Sequence, residues 1–168
     1  VAIIVIPPDS TPDSLLEWSN DASDFASANL FMHYIADHYG QNTLKGILSS
    51  PNRGADAFNQ FFAPEGKSFS SVFTDWTIAN YINNITPEGG DLYTYKNPAL
   101  FYGNFHVSPR ATFNLAPGQS SASTFSVQDW QADYYKFQPA VLGPSVTPIL
   151  RLEFRREASD VRFVVPYI

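Results

Sequence analysis

No cysteine occurs among the 168 residues, and there are only one methionine and three histidines. The missing thiols exclude disulfides, cysteine-ligated zinc, iron–sulfur clusters and thiol nucleophiles, and leave the compartment open. Charge is also sparse. Asp, Glu, Lys and Arg make up 15% of the chain, below the roughly 25% of an average soluble protein. What charge there is runs acidic, with 10 basic against 16 acidic side chains and a net −6. A nucleic-acid partner is therefore not expected, because phosphate binding needs a basic face. No run approaches the roughly 20 apolar residues of a membrane span, so none is expected. Against these shortages stand 44% apolar residues and 15% aromatics, enough large side chains to fill a core. The length suits one domain, or two small ones sharing an interface.

Val1–Ile6 is an unbroken apolar run followed at once by Pro7-Pro8. It is too short for a secretory core and lacks a basic start. Its Val and Ile residues predict a buried strand, and a strand that opens a chain with no preceding turn is expected to belong to something longer. Residues 7–14 then form a turn-rich loop. Between about Asn20 and Tyr39, Phe25, Ala28, Met32, Ile35, Ala36 and Tyr39 recur at three- and four-residue steps, which predicts a helix with that face inward. Ser19 or Asn20 suits its start, Asp21 and Asp24 suit the positive end of its dipole, and Gly40 suits its end. Shorter helices are expected over Thr43–Ser49, stopped by Pro51, and over Asp56–Phe62, stopped near Pro64. Ser68 is placed to cap a fourth helix in which Phe69, Val72, Phe73, Trp76 and Ala79 share a face. Phe69, Phe73 and Trp76 are expected to pack on the helix of Phe25, Met32 and Ile35.

Past Asn83 the pattern changes to short aromatic and β-branched runs between turn clusters. Leu100–Val107, Ala111–Leu115, Ser123–Val127, Ala132–Phe137, Pro148–Arg155 and Val161–Val165 are the candidate strands. Leu150, Leu152 and Phe154 alternate with Arg151, Glu153 and Arg155, as on a sheet with one buried and one wet face. The expected class is α+β. An N-terminal helical subdomain of about four helices, preceded by a strand, covers 1–84, a linker covers 85–98, and an antiparallel β-sandwich-like region covers 99–168. No 20–50-residue period recurs, which excludes a repeat architecture.

Few residues offer chemistry. A zinc-protease helix needs His-Glu-x-x-His, with both histidines on one face. His33 and His38 are five apart and point about 140° away from each other on a regular helix, and His106 is remote in sequence. His33 and Asp37 share a face, a pair more often found as a helix-surface hydrogen bond than as two thirds of a metal site. No Gly-x-Ser-x-Gly or phosphate-cradling glycine loop is present. Asp129 and Asp133 are carboxylates with no spatial relationship that sequence can fix. Trp18, Tyr93, Tyr95, Tyr102, Trp130, Tyr134 and Tyr135 are able to stack on sugars, but in strand-rich sequence such residues more commonly fill cores and cross-strand pairs.

Three stretches carry a family resemblance: Leu30-Phe-Met-His-Tyr-Ile-Ala-Asp-His-Tyr-Gly40, Gly54–Phe61, and Phe69-Ser-Ser-Val-Phe-Thr-Asp-Trp-Thr-Ile-Ala-Asn80-Tyr-Ile82. Together they resemble the region downstream of the active site in secreted bacterial zinc metallopeptidases of the hyicolysin-like group, with immune-inhibitor-A-type enzymes as relatives. The resemblance covers roughly residues 10–137. Trp130–Phe137 resembles the entry into the sheet that follows. The matched positions are Phe31, Tyr34, Tyr39, Gly40, Phe69, Phe73, Trp76, Ala79 and Asn80, and the resemblance implies packing or capping roles for them. The family's zinc motif would lie before Val1, so the resemblance assigns no catalytic, cofactor-binding or metal-binding residue to this chain. It implies a secreted, extracellular protein that is the C-terminal supporting part of a peptidase and is inactive by itself. Zinc is expected only in a missing upstream catalytic half. The expected partner is that half or a second copy of the chain. The alternative is a non-catalytic extracellular module that binds polysaccharide or protein through exposed aromatics.

Overall fold

The computed structural model describes residues 2–4, 14–20, 22–83, 90–100, 107–122, 124, 129–139, 149–153, 155 and 164–166. Among the described residues four α-helices form where the sequence predicts them: α1 (Ala22–Tyr39), α2 (Gln41–Ser49), α3 (Gly54–Phe62) and α4 (Phe69–Ile82). Gly40 alone separates α1 from α2. Its φ of 84° and ψ of 158° lie in a region that a side chain essentially forbids, so the chain reverses in one residue and α2 folds back on α1. Ser68 caps α4 as its sequence suggests. Its hydroxyl accepts from the Ser71 amide at 3.2 Å, and the Ser71 hydroxyl accepts from the Ser68 amide at 2.9 Å, a reciprocal capping box.

The core gathers around Phe31 of α1. Its ring centroid lies 5.4 Å from that of Phe58, 5.8 Å from Phe69 and 5.1 Å from Trp76, so α1, α3 and α4 meet at one aromatic cluster. Edge-to-face pairs of this kind contribute about 0.5–1.5 kcal/mol beyond the area they bury. Phe69 and Trp76 are buried as expected, whereas Phe73 is half-buried. The face that α1 turns inward is not the expected one. Asp24, Phe31, Tyr34 and Ile35 are its buried residues, while Phe25 is 56% exposed and packs edge-on against Trp18. At 100° per residue the buried face is rotated by roughly a quarter turn from the expected one. The cause is that α1 has neighbours on two sides. Met32 and Ala36 look toward α2, and the adjoining face carries the core.

The expected antiparallel β-sandwich is not found among the described residues. Among the described residues the chain is helix-rich, with one small sheet of three short strands, β1 (Ala2–Ile4), β2 (Ala111–Leu115) and β3 (Tyr135–Pro139), in the order β1-β3-β2. β2 and β3 run parallel, with Ala111 opposite Tyr135 and Phe113 opposite Phe137. A parallel pair requires a crossover connection in place of a hairpin, and the chain between Ala116 and Tyr134 supplies it. β1 adds to the other edge of β3 in antiparallel register, Ala2 opposite Phe137 and Ile4 opposite Tyr135. Residues 149–153 and 155 are not strands, and Ile149 is 93% exposed. Among the described residues no strand pairs with them. Most of the candidate strands Leu100–Val107, Ser123–Val127 and Val161–Val165 lies outside the described residues.

Candidate functional site

The densest polar arrangement in the described residues surrounds the segment Gly90–Leu100, which crosses α1 and α4 as a strap. The strap holds two short 3-10 turns, Gly90–Tyr93 and Pro98–Leu100. It makes no sheet pairing among the described residues, so side chains answer much of its backbone hydrogen-bonding demand. From α1, the Tyr34 hydroxyl donates to the Leu92 carbonyl at 3.1 Å and His38 Nε2 lies 2.8 Å from the Thr94 carbonyl. A carbonyl only accepts, so Nε2 carries the proton. Asp37 Oδ2 accepts from the amides of Lys96 at 2.7 Å and Asn97 at 3.2 Å, and the Asn97 side chain lies 3.4 Å from His33 Nδ1. The spacing explains the cooperation. His33 with Asp37, and Tyr34 with His38, are four apart and make two adjacent ridges of α1.

From α4, Trp76, Asn80 and Asn83 face the strap at steps of four and three. Trp76 Nε1 donates to the Tyr95 hydroxyl at 2.8 Å, and that hydroxyl donates to Asn80 Oδ1. Asn83, which ends the helix in the left-handed conformation, accepts from the Tyr95 amide at 3.1 Å and donates to the Leu100 carbonyl at 2.5 Å. Tyr95 is thus inserted between the two helices, its ring 6.2 Å from that of Tyr34.

The same helix reaches the strands. The Tyr134 hydroxyl donates to the Thr77 carbonyl at 2.8 Å, and the Asn80 carbonyl accepts from the Val107 amide at 3.0 Å. Beside Tyr134, Arg110 forms a 2.9 Å ion pair with the fully buried Asp133, to which the Tyr135 hydroxyl also donates at 3.3 Å.

Burial pushes the hydroxyls of Tyr34, Tyr95 and Tyr134 well above the ordinary phenol range, so they stay neutral donors. Burial, with the Asp133 charge adding to it, raises Tyr135 to about 12. His38 is lowered from the ordinary imidazole value, chiefly by burial, against the opposing pull of its bond to Thr94. These groups hold backbone in place. Chemically the arrangement is a clasp.

The sequence-derived candidates divide accordingly. His33 and Asp37 do share a side of α1, but Asp37 is engaged with two strap amides. Among the described residues no cluster of three or more His, Asp or Glu is placed to hold a metal, and His106 lies outside them. No helix among them is long and apolar enough to cross a membrane. Asp133 is tied up by Arg110, while Asp129 is exposed. Of the aromatics considered for sugar stacking, Tyr95, Tyr134 and Tyr135 are buried, Tyr93 and Trp130 are half-buried, Tyr102 lies outside the described residues, and Trp18 is 56% exposed. Sequence reasoning missed the roles of Tyr95, Asn83 and His38. The one available signal was the row Trp76, Asn80, Asn83, three hydrogen-bonding side chains on one face of an otherwise apolar helix end.

The chain matches no protein-family model, no curated protein and no solved structure.

Proposed function

We propose that the chain is a non-catalytic supporting part of a secreted zinc metallopeptidase, lying downstream of the half that holds the metal. The observation that carries this reading is the use made of the Trp76-Thr-Ile-Ala-Asn80 segment. This segment is part of the resemblance to hyicolysin-like peptidases, and its Trp76 and Asn80 side chains turn inward to hold Tyr95. Residues that serve as scaffold in this way suit a part whose task is to present a rigid surface to a catalytic neighbour. Expression of the chain alone, and joined to the polypeptide encoded immediately before it, tests the reading. The joined form is expected to bind zinc and hydrolyse casein, and the chain alone to do neither. Hydrolysis by the chain alone, or an upstream polypeptide with no His-Glu-x-x-His, overturns it.

A second reading, an extracellular binding module, is favoured by one feature. Trp18 and Phe25 are both 56% exposed and stack edge-to-face at 4.9 Å. Binding to a polysaccharide or protein array that disappears in Trp18→Ala would favour it over the first.

A further inference from the structure

In the order β1-β3-β2 the strand β2 stands at an edge, and among the described residues no strand meets its other side. The register fixes which of its groups face outward. In a parallel pair, matched residues alternate: one turns its amide and carbonyl toward the neighbouring strand, and its match turns them away. Leu115 is matched with Pro139, which has no N–H, so Leu115 is the one that turns toward β3. Alternation turns Ala111 and Phe113 the same way and leaves the amides and carbonyls of Thr112 and Asn114 facing the open side. Proline and charge, the usual guards of an edge, are both missing from Ala-Thr-Phe-Asn-Leu.

The chain beyond β2 makes this edge one wall of a cleft. Pro117 and Gly118 stand at the centre of a turn closed by the Gln119 amide on the Ala116 carbonyl at 3.0 Å, and Gly118 has the positive φ, 77°, that a type II turn places there. Gln119–Ser121 then lies across from Thr112–Leu115, and the two stretches line a cleft of about 450 Å³. None of these seven residues is charged. The cleft therefore offers backbone donors and acceptors at strand spacing, together with neutral side chains. A full charge entering it would give up water without meeting a counter-charge. A second folded copy is a poor match in area. A strip about 17 Å long and about 10 Å across, from the strand and sheet spacings, presents on the order of 170 Å², far below the roughly 800 Å² per partner of a stable interface.

We propose that the cleft beside β2 binds a short, uncharged polypeptide segment in extended form, adding it to the sheet as a further strand. In this mode main-chain hydrogen bonds supply the affinity and alternate side chains the selectivity. One row of the incoming side chains lies beside Phe113, whose ring stacks on Phe137 at 5.0 Å, so β-branched or aromatic residues suit that row. The site serves a peptidase part and a binding module alike, and its failure would leave both readings above standing.

Titration of the isotope-labelled 168-residue chain with the blocked peptide acetyl-Thr-Val-Asn-Val-Thr-amide, followed by amide NMR, tests the proposal. Saturable shifts are expected at the Thr112 and Asn114 amides and along Gln119–Ser121, with α2 and α3 unmoved. The same peptide methylated on every amide nitrogen keeps its side chains and loses its donors, and is expected to bind about tenfold more weakly or worse. Thr112→Pro removes one outward donor and spares the ladder to β3, since an edge strand accepts proline where its N–H faces away. It is expected to weaken binding about fivefold or more. Absence of saturable shifts by about 1 mM peptide, equal binding of the methylated peptide, or undiminished binding to Thr112→Pro overturns the proposal. Shifts at the same amides that grow with protein concentration alone overturn it too, by marking the edge as a self-association surface. The methylated-peptide comparison decides the matter even where Thr112→Pro fails to fold.

Discussion

Trp76 Nε1 and the Tyr95 hydroxyl meet at 2.8 Å in the interior, each residue at most 6% exposed. The indole therefore has two separate duties, filling the Phe31 cluster and holding the strap.

Substitutions at Trp76 separate the two. Trp76→Ala removes both and is expected to cost about 3–5 kcal/mol, the range for truncating a buried aromatic. Trp76→Phe keeps most of the ring and drops the donor, for a smaller loss that includes about 0.5–1.5 kcal/mol for the bond. Urea unfolding of the two variants checks this, and equal losses contradict the two-duty account.

Gly46 lies mid-helix in α2 where a Cβ would come within 2.3 Å of Phe61 Cε1 on α3. Gly→Ala in a helix interior ordinarily gains about 0.5–1 kcal/mol, while forcing extra volume into packed contact costs about 1–3 kcal/mol. The clash with three atoms of one ring edge wins, so Gly46→Ala is expected to lower the urea midpoint. Adding Phe61→Leu removes the obstructing ring and is expected to recover part of the loss. A stabilised single variant would show that the ring yields freely.

His38 gives the fold a pH dependence of definite sign. Its folded value is lowered, mainly by burial, so the unfolded chain, with imidazole near 6.5, binds the proton more tightly. Stability from this group is full above about pH 6.5 and declines as pH falls toward the lowered folded value. Nearby Asp37 and Asp91 partly offset the effect and Lys96 adds to it. His38→Gln keeps a donor for Thr94 without the titration. The loss of stability between about pH 6.5 and 5 is expected to be smaller in that variant than in the parent, and an unchanged difference rejects the assignment.

Asp133 is fully buried and Arg110 about a quarter exposed, so their ion pair is only partly screened by solvent. Asp133→Ala leaves the guanidinium and the Tyr135 hydroxyl without this acceptor. It is expected to cost about 2–4 kcal/mol, discounted from the 3–5 kcal/mol of a wholly buried pair. Thermal melts at low and high salt check both parts. The loss should persist in high salt, whereas a loss that disappears there would mark the pair as a surface interaction.

The helices were legible because their signals are local. Ser68 with its neighbours Phe69, Val72, Trp76 and Ala79 contains both the cap and the buried face of α4 within a dozen residues. The buried face of α1 was misread because periodicity reports how many apolar sides a helix has only when it has one. The clasp was hidden for a different reason. Tyr34, His38 and Asp37 bond to strap groups 56–60 positions away, and no periodicity links such distant polar residues. The β-sandwich was overread from six short aromatic and β-branched runs between turn clusters, the alternating one around Leu150 and Leu152 among them. Alternation shows which side of a strand is fit for burial, and whether a second sheet exists to cover it is decided elsewhere in the chain.

The strand order has a consequence for biosynthesis. β3 is the middle strand of the sheet and, among the described strands, the last to be translated. Among the described strands β1 and β2 share no edge, so neither meets its pairing partner there until Tyr135–Pro139 has left the ribosome. At about 5–20 residues per second, β1 waits for roughly 7–30 seconds. By then all four helices have been made and are available to pack. The described sheet can therefore be completed only after the residues of all four helices have been synthesised.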